Sequence, residues 1–168
     1  VTEEISSNIM AHGGGGPENR GQQSNRAPGA TSLRLSGTPH ALPRIRQMVV
    51  EAAERCRFGD EDIAKIEMAV GEACSNIVEH AYRTLPPPPP DLEVTVHEYD
   101  NRLEVLILDF SSINFPVDQK PGLPLDDYLE TQQRRGLGLY IIKNFVDFVE
   151  HRFICGQGNE LRLVKYFA

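Results

Sequence analysis

Five consecutive prolines at positions 86–90 restrict this chain more than any other feature. Proline has no backbone N–H to donate and holds φ at about −65°, so such a run fits neither a helix interior nor a central strand. An element must therefore end before residue 86, and a new one must begin after residue 90. The role expected for the run is a stiff, extended connector, with a proline-recognition motif as the alternative.

Upstream of the prolines the pattern is mostly helical. SLRLS (32–36) alternates apolar and polar residues, which predicts a short half-buried strand. Thr38 can cap a helix and Pro39 suits its first position. Leu42, Ile45, Val49, Ala52, Ala53 and Cys56 then recur on one face through about Arg57, with Gly59 as the stop. Asp60 is placed to cap a second helix of roughly 61–83. Its buried stripe is Ile66, Val70, Ala73, Cys74, Ile77 and Ala81, and the opposite stripe carries Glu72, Asn76, Glu79 and His80.

Downstream, residues 92–99 and 102–109 predict an antiparallel hairpin turned by Asp100 and Asn101, its second strand central and ending on Asp109. An acid at the end of a buried strand is costly unless it is paired or faces a cleft. Asp109 therefore either caps the following loop or receives a donor from a ligand. Residues 110–133, with prolines at 116, 121 and 124, predict a long connection of the kind used as a lid or binding loop. Gly136-Leu137-Gly138 ends it, and Leu139, Ile142, Phe145 and Val146 define a third helix. Two strands, 147–154 and 159–167, close the pattern across a glycine-containing turn. The fold class expected is α+β: a two-layer sandwich of a mixed, mostly antiparallel sheet with three helices on one face.

Net charge is −7 and the isoelectric point about 5.2, which gives no electrostatic footprint for nucleic acid. No stretch approaches the apolar length needed to cross a bilayer, so a soluble, cytoplasmic protein is expected. Cys56, Cys74 and Cys155 are odd in number and far apart, unlike a disulfide framework or a zinc site. Residues 1–30, with GGGG at 13–16 and almost no large apolar side chains, are expected to form a disordered tail ahead of a domain at 31–168.

The chemistry is carried by two short stretches. Glu72 and Asn76 lie four apart on one helix face, and Gly136 and Gly138 open a helix whose unpaired N–H groups favour an anion such as phosphate. Arg134 and Arg135 add positive charge there. Each piece alone has a bland reading, as a solvated face or a loop-to-helix joint. Together they point to chemistry on a nucleotide.

The stretch KIEMAVGEACSNIVEHAY (65–82) resembles the N-box of the anti-sigma factor serine kinases, within the ATPase superfamily shared with gyrase B, MutL and histidine kinases. RRGLGLYIIKNFVDFVE (134–150) resembles the second glycine box of that group, and GNELRLVKYF (158–167) its closing strand. The resemblance implies a Bergerat-type ATP-binding sandwich over about residues 31–168. It implies Asn76 as ligand of the Mg2+ that bridges the phosphates of ATP, and Glu72 as general base. It implies Asp109 as acceptor for the adenine amino group, and Gly136, Leu137 and Gly138 with Arg134 around the phosphates. His80 matches a frequent histidine, with an orienting role. The implied activity is that of an anti-sigma factor serine/threonine-protein kinase, a partner-switching regulator. It would sequester a sigma factor and phosphorylate a STAS-type anti-sigma-factor antagonist, and homodimerisation is expected. Two departures stand out. Asp109 is followed by Phe110-Ser111-Ser112-Ile113 where the family has glycine, which is expected to crowd the adenine pocket. Gly158 is followed by Asn159 where the family often has threonine. A non-catalytic partner-binding module of the same fold is the alternative. A detached histidine-kinase catalytic domain is disfavoured, because residues 1–30 cannot form a helical dimerisation segment.

Overall fold

The computed structural model describes residues 29–111 and 134–167. β1 (Gly29–Ser36) leads through a 3-10 turn at Pro39–Ala41 into α1 (Leu42–Arg55) and then α2 (Asp60–Asn76). The hairpin of β2 (Asp91–Glu98) and β3 (Arg102–Asp109) follows, and then α3 (Arg134–Phe145), β4 (Phe148–Ile154) and β5 (Gly158–Tyr166). The strand order is β1-β2-β3-β5-β4, and all of these pairings are antiparallel. β3 and β4 run the same way but do not touch, because β5 stands between them; that removes the parallel pairing a mixed sheet would have had. The expected two-layer sandwich is otherwise present, and β3 is central. β1 begins at Gly29, two residues inside the segment expected as a tail, whose residues 1–28 lie outside the described ones.

The helical stripes meet the sheet as the periodicity requires. Ile45, Met48, Val49, Ala52 and Ala53 of α1 are buried, as are Ile66, Val70, Ala73 and Cys74 of α2. They face Leu92, Val94 and Val96 of β2, Val105 and Ile107 of β3, and Leu161 and Leu163 of β5. Truncating a fully enclosed member such as Ile45 to alanine costs about 2–5 kcal/mol. Burial pushes the Cys74 thiol up to about 12, so it packs as a small apolar group. Cys155 is exposed.

Local signals act somewhat differently from their usual forms. Pro39 opens the 3-10 turn, but Thr38 makes no side-chain capping bond. Asp60 is the first residue of α2 and Gly59 flanks it; with Glu61 and Asp62 it places three acids in the first turn, where the helix dipole favours them. The α geometry ends at Asn76, widens to a π turn over Ile77–Ala81, and tightens to 3-10 over Tyr82–Thr84, ahead of the prolines. Tyr82 Oη donates to the Asp91 carbonyl at 2.8 Å, tying the helix end to the start of β2 across the proline connector.

On the sheet face away from the helices, Glu104 is 6% exposed and accepts hydrogen bonds from Arg102 Nε (2.7 Å) and Arg162 Nη2 (2.8 Å) and Nε (3.0 Å). Burial opposes its charge, but the two guanidinium groups outweigh that and hold its carboxyl below the usual range.

Candidate functional site

α2 and α3 pack together where α3 has no side chain. A Cβ at Gly138 would stand 2.9 Å from Glu72 Oε2, 3.4 Å from Asn76 Nδ2 and 3.5 Å from Asn76 Oδ1. The two N-box candidates, one turn apart on α2, therefore converge on the backbone of the second glycine. The glycine pair was expected to end the loop ahead of a helix; instead α3 starts at Arg134, so Gly136, Leu137 and Gly138 belong to its first turns. Helical glycine is disfavoured by roughly 1 kcal/mol relative to alanine, and here the close approach of Glu72 and Asn76 outweighs that preference. Leu137 is half-buried. The side chain of Arg134 lies outside the described residues, as do residues 112–133 of the long connection.

At the other end of the site, Asp109 closes β3 and is 1% exposed. Its carboxylate is held by three donors: the Ser111 N–H to Oδ1 (2.8 Å), and the Ser111 hydroxyl and Asn159 Nδ2 to Oδ2 (both 2.9 Å). Asn159 reaches it because β5 pairs these two residues directly. Asn159 Oδ1 in turn lies 3.0 Å from His151 Nε2 of β4. Gly158, at φ 116°, brings β5 so near that a Cβ there would run into the Asp109 carbonyl oxygen. Tyr82 closes the back of this network; burial and then the neighbouring Asp109 charge raise its phenol, so it stays neutral.

One cavity joins the two ends. Asn76, Ala73 and Ile77 of the N-box segment, Asp109 and Ile107 of β3, Leu139 and Ile142 of α3, His151, and Asn159 and Leu161 line it. Its volume is about 20 Å³, the room of about one water molecule. A purine needs more, and Leu139 and Ile142 form the helical wall that would have to draw back. Phe110, expected to crowd this space, is absent from the lining; it turns outward beneath the Arg34 guanidinium, 4.6 Å from its ring centre. His80 is exposed and lines a different groove, with Thr38, Pro39 and Pro87.

Two participants escaped the sequence reading. Ser111 sits in the glycine-poor segment expected only to obstruct, and it serves as a double donor to Asp109. His151 carried no motif; the β4–β5 hairpin register sets it beside Asn159, but the pair reaches Asp109 only because β5 joins β3, which nothing local in the sequence discloses. Chemically the site offers a carboxylate, an amide and the bare backbone of Gly138 at one end, and a buried, fixed acceptor at the other. Among the described residues, no helix is long and apolar enough to cross a membrane.

Residues 35–165 match the histidine kinase-like ATPase domain. The chain is similar to the serine-protein kinase RsbW of Bacillus thuringiensis (strain Al Hakam), 29% identical over 138 residues, which cover 80% of this chain and 82% of that protein. The RsbW serine-protein kinase of Bacillus mycoides (strain KBAB4) is 30% identical over 137 residues, with the same coverage. With the domain matched over most of the chain and the antiparallel sheet and its helices in place, the chain belongs to the histidine kinase-like ATPase domain family and, within it, to the family of the RsbW serine-protein kinases.

Proposed function

We propose that the protein is an ATP-dependent serine/threonine-protein kinase of the cytoplasm that sequesters a sigma factor and phosphorylates a serine of an anti-sigma-factor antagonist. The observation that carries this reading is the meeting of Glu72 and Asn76 at Gly138, beside a cavity that Asn76 shares with Asp109. These residues fit a magnesium nucleotide. The amide oxygen of Asn76 is a hard donor of the kind Mg2+ takes, and the space a Cβ would fill at Gly138 is left clear beside it.

Bound Mg-ATP supplies the transferable phosphoryl group and offsets its charge. Phosphoryl transfer asks little covalent chemistry of a protein, so positioning dominates. Glu72 accepts the proton of the attacking serine hydroxyl, Asn76 holds the metal, and Asp109 accepts from the exocyclic amino group of adenine. Gly136 lies among the first residues of α3, whose N–H groups lack intrahelical partners and favour phosphate, and Leu137 and Gly138 follow it, Gly138 leaving clear the space a side chain would take from a phosphate. Arg134, at the start of the same helix, adds charge near the terminal phosphate.

The test is incubation with labelled ATP, magnesium and candidate antagonist proteins from the same genome, beside calorimetry with Mg-ATP. Glu72→Ala should bind nucleotide as the wild type does and transfer no label; a fully active variant would remove Glu72 from the base role. The second reading, a non-catalytic partner-binding module, is favoured by the three hydrogen bonds Asp109 already accepts within the chain. Absence of both heat and thermal shift at millimolar Mg-ATP would select it.

A further inference from the structure

The hydrogen bonds that end on Asp109 run in one direction. A carboxylate only accepts, so Asn159 has to turn its Nδ2 toward Asp109 Oδ2. That turns Asn159 Oδ1 toward His151 Nε2, and an amide oxygen also only accepts. The histidine nitrogen at that contact therefore carries a proton: Nε2–H donates to Asn159, and Asn159 donates to Asp109. The sheet register fixes the arrangement, because His151 stands opposite Leu161 and so lies diagonal to Asn159 on one face. All three residues line the cavity beside Asn76.

An asparagine amide has two orientations of almost the same shape. One presents a donor to Asp109, and the other sets an oxygen against a carboxylate. The Asp109 charge favours the first, and a proton on His151 Nε2, which donates to Oδ1 in the first and meets an NH2 group in the second, holds Asn159 there. We propose that His151 is a positioning residue for base recognition: by orienting Asn159 it fixes the Asp109 carboxylate, which with Ser111 and Asn159 satisfied keeps about one of its roughly four acceptor sites for a single exocyclic amino group, that of adenine. The inference rests on the nucleotide reading above and assigns it a specificity device built from β4 and β5.

The experiment is calorimetric binding of ATP and of GTP to the full chain and its variants, with no protein substrate, beside nitrogen-15 spectra of the histidine rings. The neutral His151 ring should carry its proton on Nε2. His151→Ala should weaken ATP binding about tenfold, the worth of one oriented hydrogen bond, and narrow the preference for ATP over GTP. His151→Gln, whose amide N–H can replace the donor, should recover most of both. A proton on Nδ1, unchanged ATP affinity in His151→Ala, or a loss that His151→Gln leaves untouched while thermal stability falls in step would overturn the inference alone. A wild-type chain that binds neither nucleotide would overturn the kinase reading and this inference together.

Discussion

Gly138 of α3 faces Glu72 of α2 so directly that any side chain at the glycine would meet the Glu72 carboxylate within 2.9 Å. The group it meets is the far end of a flexible side chain, so Gly138→Ala can be accommodated by turning Glu72 aside. Stability should change by less than about 1 kcal/mol, since alanine also favours the helix. Phosphoryl transfer should fall on the order of 100-fold, because a displaced base loses its near-attack geometry. Thermal melts beside initial rates check this; equal rates in both proteins would show that Glu72 need not hold its place.

The contact between Gly158 and the backbone of Asp109 differs in kind. Here the obstacle is main chain, which cannot rotate away, and φ at 116° is a conformation that L side chains rarely adopt. Gly158→Ala should therefore lower stability by about 3 kcal/mol or more, read from a shifted urea midpoint at unchanged slope. A loss below roughly 1 kcal/mol would mean that β5 approaches Asp109 less closely.

Asp109→Asn keeps the shape of the side chain but replaces one acceptor oxygen with a donor. Whichever way the amide turns, it meets Ser111 or Asn159 donor to donor. The cost is about 1–3 kcal/mol for the buried group left unpaired, and ATP binding should be lost with it. Denaturation and calorimetry read the two effects separately.

Acid should act through Glu104. Its folded-state carboxyl lies below the usual range, so its contribution to stability is fully present above the unfolded value of about 4.3 and disappears as pH falls through the folded value. Glu104→Gln should flatten that part of the stability profile between neutral pH and acid. Parallel profiles for the two proteins would show that Arg102 and Arg162 do not hold the charge.

Periodicity made the helices and the hairpin legible, because burying Ile45, Val49, Ile66 and Val70 on one layer leaves few alternatives. Glu72 and Asn76 were legible for the same reason: a spacing of four puts both on one side of a helix. Gly138 was harder to place, since glycine is read as a loop signal and its closeness to α2 exists only after folding. Phe110 and Ser111 looked alike as obstacles in sequence. They separate because the end of β3 sends one side chain outward to Arg34 and turns the next back onto Asp109. His151 was missed as a site residue, since the hairpin register sets it beside Asn159 but only the place that hairpin takes in the sheet brings the pair to Asp109.

That placement has a consequence for synthesis. β5 lies between β3 and β4, so the strand translated after all the other described elements is the one that fills the gap in the sheet. While the polypeptide is still emerging from the ribosome, Asp109 lacks Asn159 and the edge of β3 stays open. Until β5 arrives, Asp109 is without one of its three donors and the unpaired edge of β3 is open to pairing with other chains.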